Sequence, residues 1–141
     1  KNVAENNRRT QSLELAGSTV FQAKSAALTA SLADALLQNS RLTALNLSSC
    51  NMGDAAVKLL AHSIRDNVTL FELNLSHNKL GRPGLIALAQ ALATNTGLIT
   101  LNLLGHRVNS EVCAEFVKMY GTNFTLCKLI WTLEVAGYTL K

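Results

Sequence analysis

The sequence predicts a curved α/β solenoid, with parallel strands along one face and helices along the other. Three observations predict it: an internal repeat of 28 residues, a change of hydrophobic periodicity within each repeat, and a leucine-rich, charge-poor composition. The 141 residues include 26 leucines and are 48% hydrophobic but only 16% charged. Globular domains average about 25% charged residues. A chain so rich in apolar side chains can bury a core, which excludes a disordered tail.

The repeat is visible in columns of leucines and asparagines. The leucines recur at a constant step of 28, and each is followed by apolar residues three and five places on. They are Leu42, Leu70, Leu98 and Leu126, and the asparagines in step with them are Asn39, Asn67, Asn95 and Asn123. An upstream unit containing Leu13 and Leu15 precedes them at a step of 32, so we expect four extra residues near residues 17–24. Agreement over so many columns indicates tandem structural repeats.

Each unit changes periodicity halfway, which predicts its secondary structure. Leu73-x-Leu75 alternates apolar and polar residues, as a strand with one buried face does. Residues 85–92 then place apolar side chains at i, i+3, i+4 and i+7, which is one face of a helix. Asn67 and its equivalents fall where the helix ends, and we expect the left-handed conformation there because asparagine tolerates it. Successive strands must then be parallel, and they line the concave face.

The motif has the form of a known repeat. The pattern Leu-x-x-Leu-x-Leu-x-x-Cys/Asn occupies residues 42–50 and 70–78. It resembles the leucine-rich repeat, and a step of 28 with a full helix per unit is similar to its ribonuclease-inhibitor-like subfamily. That subfamily includes ribonuclease inhibitor, the Ran GTPase activator, NOD-like receptor repeat domains and the tropomodulin C-terminal domain. The resemblance implies an α/β leucine-rich-repeat solenoid, a right-handed βα superhelix of about five parallel strands with outer helices. It implies no particular ligand.

The domain organisation follows from the repeats. We predict a single leucine-rich-repeat domain over residues 1–141, with units at about 7–38, 39–66, 67–94 and 95–122 and a terminal capping strand within 123–141. Residues 1–5 align with the end of a helix, so we expect the chain to be a fragment of a longer protein. Trp131 and a short hairpin at 135–138 are expected to cover the last layer, since solenoids need capping units. His106 replaces the usual ninth-position Asn or Cys, so an irregular loop is expected there.

Three asparagines form a polar column on the concave face. Asn46, Asn74 and Asn102 point outward from successive strands, between Glu14 and Ile130. Neighbouring strands lie about 4.8 Å apart, so these amides form a ladder. One interpretation is that the amides hydrogen-bond one another along the sheet. The other is a polar strip that binds a protein partner.

An apolar spot accompanies this column at the edge of the strands. Phe71 and Ile99 occupy the same column, and the next outward column contains Glu72. Exposed aromatic residues in such positions are often anchors for a partner. The alternative is that Phe71 and Ile99 pack on loop residues.

A third candidate surface is the basic rim, which we define as Lys79, Arg82 and Arg107 in the strand-to-helix loops. Lys79 and Arg107 share a column, so stacked loops are expected to bring them near each other. The rim is either a solvated edge or a docking site for an acidic protein surface.

No constellation typical of catalysis is present. The three histidines, His62, His77 and His106, have no Cys or carboxylate at metal-ligand spacing. No residue is placed as a base beside any of the three cysteines, and the segment 81–84 lacks the lysine of a phosphate-binding loop. We therefore predict no catalytic, cofactor-binding or metal-binding residues, no small-molecule substrate and no enzymatic activity.

The remaining composition restricts partners and location. Thirteen basic residues scattered over the chain, for a net charge of +4, do not form a nucleic-acid signature. Residues 83–106 carry no charge, but their threonines and asparagines and the repeat itself argue against a membrane span. Three cysteines without a pairing pattern favour a reducing setting, so a cytoplasmic location is expected.

The sequence thus predicts a non-catalytic protein–protein interaction module or scaffold that presents its concave strands and loop rims to a partner. An alternative is a tropomodulin-like regulator of actin filaments, which would place the protein in the cytoskeleton. A second alternative is a GTPase-activating module resembling the Ran activator. The identity of the partner, the pathway and the oligomeric state stay open.

Overall fold

The strands form one sheet in chain order. The structure, a computed structural model, describes residues 11–135 and 138–140. The strands are β1 (Ser12–Glu14), β2 (Ala44–Asn46), β3 (Glu72–Asn74), β4 (Thr100–Val108), β5 (Lys128–Val135) and β6 (Tyr138–Leu140). The first five are parallel, and β6 adds to β5 in the antiparallel sense. The predicted fold, a parallel sheet of five repeated strands with accompanying helices, is confirmed.

The sheet register reproduces the sequence columns. Leu13, Leu45, Leu73, Leu101 and Leu129 are paired from strand to strand. The first of these steps is 32 residues and the others are 28, as the columns predicted. Because the register is kept, inward and outward side chains alternate identically on every strand.

One helix follows each of the first four strands, with an extra short one in the first unit. The helices are α1 (Thr19–Ala23), α2 (Ser25–Gln38), α3 (Asp54–Asp66), α4 (Arg82–Leu92) and α5 (Ser110–Tyr120). Helix α1 falls where the extra residues of the first unit were predicted. Its first turn is capped by the Ser18 hydroxyl, which accepts the Phe21 N–H at 3.2 Å. Phe21 is buried, so the insertion contributes to the core.

The core lies between the sheet and the helices. Leu45, Leu73 and Leu101 point inward from the strands and are almost fully buried, as are Leu60, Leu88 and Phe116 from the helices. Helix α2 packs on α3, α3 on α4 and α4 on α5. Each layer therefore covers the next. In the described part of the chain, every helix falls short of the length and apolar character that a bilayer span requires.

The turn asparagines do not adopt the conformation predicted for them. Asn39 and Asn67 end α2 and α3 with φ of −85° and −79°, which is extended backbone, so the left-handed prediction is wrong. Instead, these side chains are buried and connect adjacent units. The Asn95 Nδ2 donates to the carbonyls of Ile64 at 2.7 Å and Asn67 at 2.9 Å. We call the four residues the buried asparagine column; its members are Asn39, Asn67, Asn95 and Asn123.

Left-handed backbone occurs in a different column, in the loops that follow the strands. Gly17, Ser49, His77 and Gly105 are equivalent positions, and φ is 66°, 54°, 55° and 87° respectively. Glycine adopts this conformation at little cost, whereas a β-carbon makes it unfavourable. The units of β2 and β3 therefore have a strained residue, Ser49 or His77, where the units of β1 and β4 have glycine.

The last layer is closed by an aromatic contact and a hairpin. The rings of Phe116 and Trp131 meet edge to face, with centroids 5.3 Å apart. Val135 pairs with Tyr138 across β5 and β6, which confirms the predicted hairpin pairing. Strand β4 has a register irregularity between Asn102 and Arg107, so the irregularity predicted around His106 is confirmed. The predicted helix end at residues 1–5 and the turn residues 136–137 lie outside the described residues.

Candidate protein-binding face

The outward side chains of the parallel strands line a shallow cavity of about 270 Å³. Its floor is formed by the strand side chains that point away from the core. They include Asn46, Asn74, Asn102 and Thr100. Among its lining residues the two ionisable side chains are both carboxylates, Glu14 on β1 and Glu72 on β3. The cavity therefore mixes polar and apolar residues and is acidic at its β1–β3 end.

The outward asparagines bond within their own units. The Oδ1 of Asn46 accepts the Ser48 N–H at 3.0 Å, and the Oδ1 of Asn102 accepts the Leu104 N–H at 3.0 Å. Asn74 accepts both the N–H and the hydroxyl of Ser76, at 2.9 and 2.7 Å. These are Asx turns, in which a side chain replaces a backbone acceptor. The interpretation of amides bonded to one another along the sheet is therefore wrong.

Each of these asparagines still has a donor to offer. Within the residues that the structure describes, the Nδ2 groups of Asn46, Asn74 and Asn102 donate to no protein acceptor. All three side chains are partly exposed. The outward asparagine column, Asn46, Asn74 and Asn102, therefore presents three amide donors to whatever occupies the face.

The apolar spot lies at the start of β3 and β4. Phe71 and Ile99 are adjacent, since the Ile99 N–H donates to the Phe71 carbonyl at 2.8 Å. Both side chains are 43% exposed, so contacts with loop residues cover them only in part. Sequence reasoning missed two further exposed residues near this edge: Val68, and Phe124, which is 87% exposed. They share a column just after the buried asparagines, and that shared position is the signal that could have found them.

The basic rim contains an ion pair between adjacent units. Arg82 Nη1 lies 2.6 Å from Glu111 Oε2, so one of the three cations is paired with the next unit's helix. Lys79 and Arg107 are exposed. Lys79 lines a second cavity, of about 330 Å³, with Ser49, His77 and neighbouring polar residues. Neither Arg82 nor Arg107 lines that cavity.

An acidic residue that sequence reasoning missed also connects adjacent units. Asp54 begins α3, and its Oδ1 accepts the N–H groups of Gly81 at 2.8 Å and Gly84 at 3.0 Å. It thereby caps α4, the helix of the following unit, where a carboxylate also meets the positive end of the helix dipole. A β-carbon at Gly84 would collide with Asp54 and Val57, which explains glycine at this close approach. Only the packing of the units reveals this contact.

The histidines and cysteines of the described residues do not form a cluster with one another. Cys50 is buried at the ninth motif position, where its Sγ lies 3.0 Å from the Leu15 carbonyl, and desolvation raises the pKa of its thiol. Cys113 is partly buried, whereas Cys127 is exposed. His62 is exposed on α3. Over residues 11–135 and 138–140, no three side chains of the His, Cys, Asp and Glu types form a group that could hold a metal ion.

Comparison with known proteins identifies the repeat. A family model described as "Leucine Rich repeat" matches residues 38–61 and 66–89. These units are leucine-rich repeats. The matched segments run from the end of one helix through the next strand into the following helix, so the sequence-based resemblance is confirmed. No curated protein matches the sequence.

Solved structures of other leucine-rich-repeat domains share the fold. One, described as "Leiomodin-1 Actin-Binding Site 2", has a TM-score of 0.85 at 24% identity and covers 96% of this chain and 78% of its own. Another, a tropomodulin C-terminal domain from Caenorhabditis elegans, has a TM-score of 0.82 at 15% identity and covers 96% of this chain and 80% of its own. At these identities the likeness shows the fold alone.

The predicted site residues thus fall into two groups. Asn46, Glu72, Asn74 and Asn102 line one cavity on the concave side of the leucine-rich repeats, and Phe71 and Ile99 lie at the starts of β3 and β4, immediately before Glu72 and Thr100. Lys79, Arg82 and Arg107 lie outside it, in and beside the loops that follow the strands.

Proposed function

We propose that this leucine-rich-repeat chain is a non-catalytic interaction module that binds a protein partner across its concave strand face. The observation that carries the proposal is the set of unused amide donors on Asn46, Asn74 and Asn102, which lie in one cavity. A rigid, register-locked sheet holds these donors at a spacing of about 4.8 Å without a further ordering cost on binding. Phe71 and Ile99 supply an apolar anchor beside them.

The shape of the site favours a protein over a small molecule. The cavity is open and spread over five strands, and its lining is an even mixture of polar and apolar surface. Small-molecule sites are concave and predominantly apolar, and they bury most of the ligand. An open face with a polar ladder and a partly exposed aromatic side chain is typical of a protein interface, in which a few anchors supply most of the binding energy.

Two variants on the face test this proposal. Ala44 lines the cavity, so Ala44→Tyr would fill it without removing a hydrogen bond or changing the charge. Phe71→Ala removes the apolar anchor. Affinity capture with the purified chain should recover a partner that both variants lose, with Ala44→Tyr giving the greater loss because it blocks the floor of the site.

A matched control lies on the opposite side of the same unit. His62→Tyr places a tyrosine on the exposed surface of α3 and should leave capture unchanged. Thermal unfolding of each variant separates loss of the site from loss of the fold. A partner retained by Ala44→Tyr but lost by His62→Tyr would place binding on the helices and refute the proposal.

A second candidate function is actin binding. The observation that favours it is the likeness, over 96% of this chain, to structures described as a leiomodin actin-binding site and a tropomodulin C-terminal domain. If the chain regulates filaments, it should co-sediment with actin filaments and alter assembly from filament ends in a pyrene-actin assay. Unchanged assembly kinetics at saturating protein would remove this candidate. No observation on the described residues favours the GTPase-activating alternative, which stays a prediction.

A further inference from the structure

The concave face carries a charge opposite to that of the rest of the molecule. The cavity lining contains two carboxylates, Glu14 and Glu72, and no cation, whereas the other described residues carry nine basic and six acidic side chains. Exposed basic residues lie on the helices and loops, including Lys58, Arg65 and Lys79. A cationic partner is therefore attracted to the β1–β3 end of the face more than to the rest of the described surface. Such complementarity selects the docking site and speeds association.

The hydrogen-bonding groups of the face indicate the conformation of the partner. The outward asparagines line the cavity and use their Oδ1 atoms inside their own units, while their Nδ2 groups donate to no acceptor among the described residues. Such donors need acceptors from the partner. An extended chain has free backbone carbonyls, whereas those of a helix are mostly used internally. The face therefore fits an extended segment better than a helix.

The apolar spot adds a third requirement. Phe71 immediately precedes Glu72 at the start of β3, and its carbonyl accepts the Ile99 N–H at 2.8 Å, so two exposed apolar side chains lie at the edge of the strands that carry Glu72 and Thr100. A segment that places a cationic side chain toward Glu72 can set an apolar side chain on Phe71 and Ile99. On β5, Lys128 follows Glu72 and Thr100 in the same outward column, so the acidic part of the face is confined to its β1–β3 end.

We propose that the concave face binds an extended protein segment that carries basic residues, held toward Glu14 and Glu72, interspersed with apolar residues that pack on Phe71 and Ile99. This inference rests on the proposed function and deepens it, because it gives the chemical class of the partner. It also assigns partner selection to the strand face instead of the basic rim, which would select an acidic surface.

The experiment uses two synthetic probes of opposite charge. Fluorescein-labelled decapeptides of alternating lysine and leucine, or of glutamate and leucine, are titrated with the purified chain, and binding is followed by fluorescence anisotropy. The lysine peptide should bind more tightly. Its affinity should fall when the Debye length is reduced from about 30 Å at 0.01 M salt to about 3 Å at 1 M salt.

The variants locate the charge effect. Glu72→Gln removes one carboxylate without changing the shape, and should weaken the lysine peptide about threefold, since an exposed ion pair contributes a fraction of 1 kcal/mol. Glu14→Gln with Glu72→Gln should weaken it about tenfold if the two effects add. Asp34→Asn removes the same charge from the exposed side of α2 and should change nothing.

The outcomes separate this inference from the proposed function. An equal loss with Asp34→Asn, no loss with the glutamate variants, or tighter binding of the glutamate peptide would each overturn the basic-segment inference. If Ala44→Tyr still abolished capture of a protein partner in those cases, the proposed function would stand. If wild type bound neither peptide, the inference would be wrong, and the capture experiment alone would decide the function.

Discussion

Two columns of asparagines repeat with the same step and have different roles. In the buried asparagine column, each of Asn67, Asn95 and Asn123 donates to two carbonyls of the preceding unit and accepts backbone N–H groups of its own unit. In the outward asparagine column, the amide accepts only local bonds and leaves its donor free. The first column holds units together, and the second presents a surface.

The difference shows what a repeat column can and cannot predict. Strict recurrence of a polar residue shows which position of the unit it occupies. Because both asparagine columns recur strictly, recurrence does not distinguish their roles. The two differ in burial, and burial is decided by which neighbouring unit lies over the side chain. A buried amide must be satisfied completely, whereas an exposed one can leave a group for solvent or a partner.

The largest expected effect comes from removing one buried asparagine. Asn95→Ala should lower the free energy of unfolding by about 4 kcal/mol, because it leaves the Asn67 carbonyl and the N–H groups of Gly97 and Leu98 buried without the partner that satisfies them. Asn102→Ala in the same unit should cost no more than about 1 kcal/mol, since only its bond to the Leu104 N–H is lost. Urea unfolding measures both. Similar losses for the two variants would break the distinction between the columns.

The next effect tests the strand alternation that separates the face from the core. Leu73 is 1% exposed in the central layer, so Leu73→Ala should destabilise the fold by about 3 kcal/mol. Its neighbour Asn74 points outward, and Asn74→Ala should cost a third of that or less. If Leu73→Ala were nearly neutral, the inward and outward faces would have been assigned the wrong way round.

A third, smaller effect concerns His106, which replaces asparagine in the motif. The equivalent Asn78 accepts N–H groups from Cys50 and Met52 and donates to Leu75. His106 keeps only the contact of its Nδ1 with the Leu103 carbonyl, at 2.9 Å, and its buried Nε2 has no partner. Desolvation lowers the pKa of His106, and His77 adds to that shift, while the Leu103 carbonyl opposes it.

The sign of the pH effect follows from that shift. The unfolded histidine takes up a proton near its ordinary pKa of about 6.5, but the folded one resists it. Stability from the neutral ring is therefore fully present above about pH 6.5 and is lost as the pH falls below that value. His106→Asn should remove this part of the pH dependence and raise stability at pH 5.5 by about 1 kcal/mol. Unfolding at about pH 7.5 and 5.5 measures it, and parallel profiles would contradict the assignment.

The smallest effect concerns the left-handed column. His77→Gly should stabilise the protein by about 0.5 kcal/mol, because relief of the positive φ exceeds the entropy that glycine adds to the unfolded chain. Lys79→Gly is the matched control two residues on. Lys79 has no positive φ, so the same change should destabilise by about 0.5 kcal/mol. Thermal unfolding should show opposite signs, and a loss in both variants would mean that His77 is not strained.

Most of the architecture could be predicted because it depends on local pattern. Leu73 and Leu75 determine a strand with one buried side, and the helical spacing of residues 85–92 determines which side of α4 meets the core. The insertion forms α1 at the predicted place. The four added residues must lie where the spacing between equivalent residues changes from 32 to 28. The predicted strand residues Asn46, Glu72, Asn74 and Asn102 line one cavity, since the alternation of the strands determines their direction.

Contacts across units could not be predicted this way. The repeat columns do not show that Asp54 caps α4, or that Arg82 of the basic rim pairs with Glu111. The turn asparagines were given a left-handed backbone that Ser49 and His77 adopt instead. In each case the partner lies about 28 residues away, and only stacking determines which atoms meet.

The repeat, the alternation of strand and helix, and the column to which each residue belongs all follow from the amino-acid sequence alone. Those features depend on side-chain periodicity, which a single unit already contains. The tertiary structure decided which asparagines are buried, which cations are paired and which amide donors remain for a partner. Such properties depend on the adjacent layer, because burial and hydrogen bonding are settled between units.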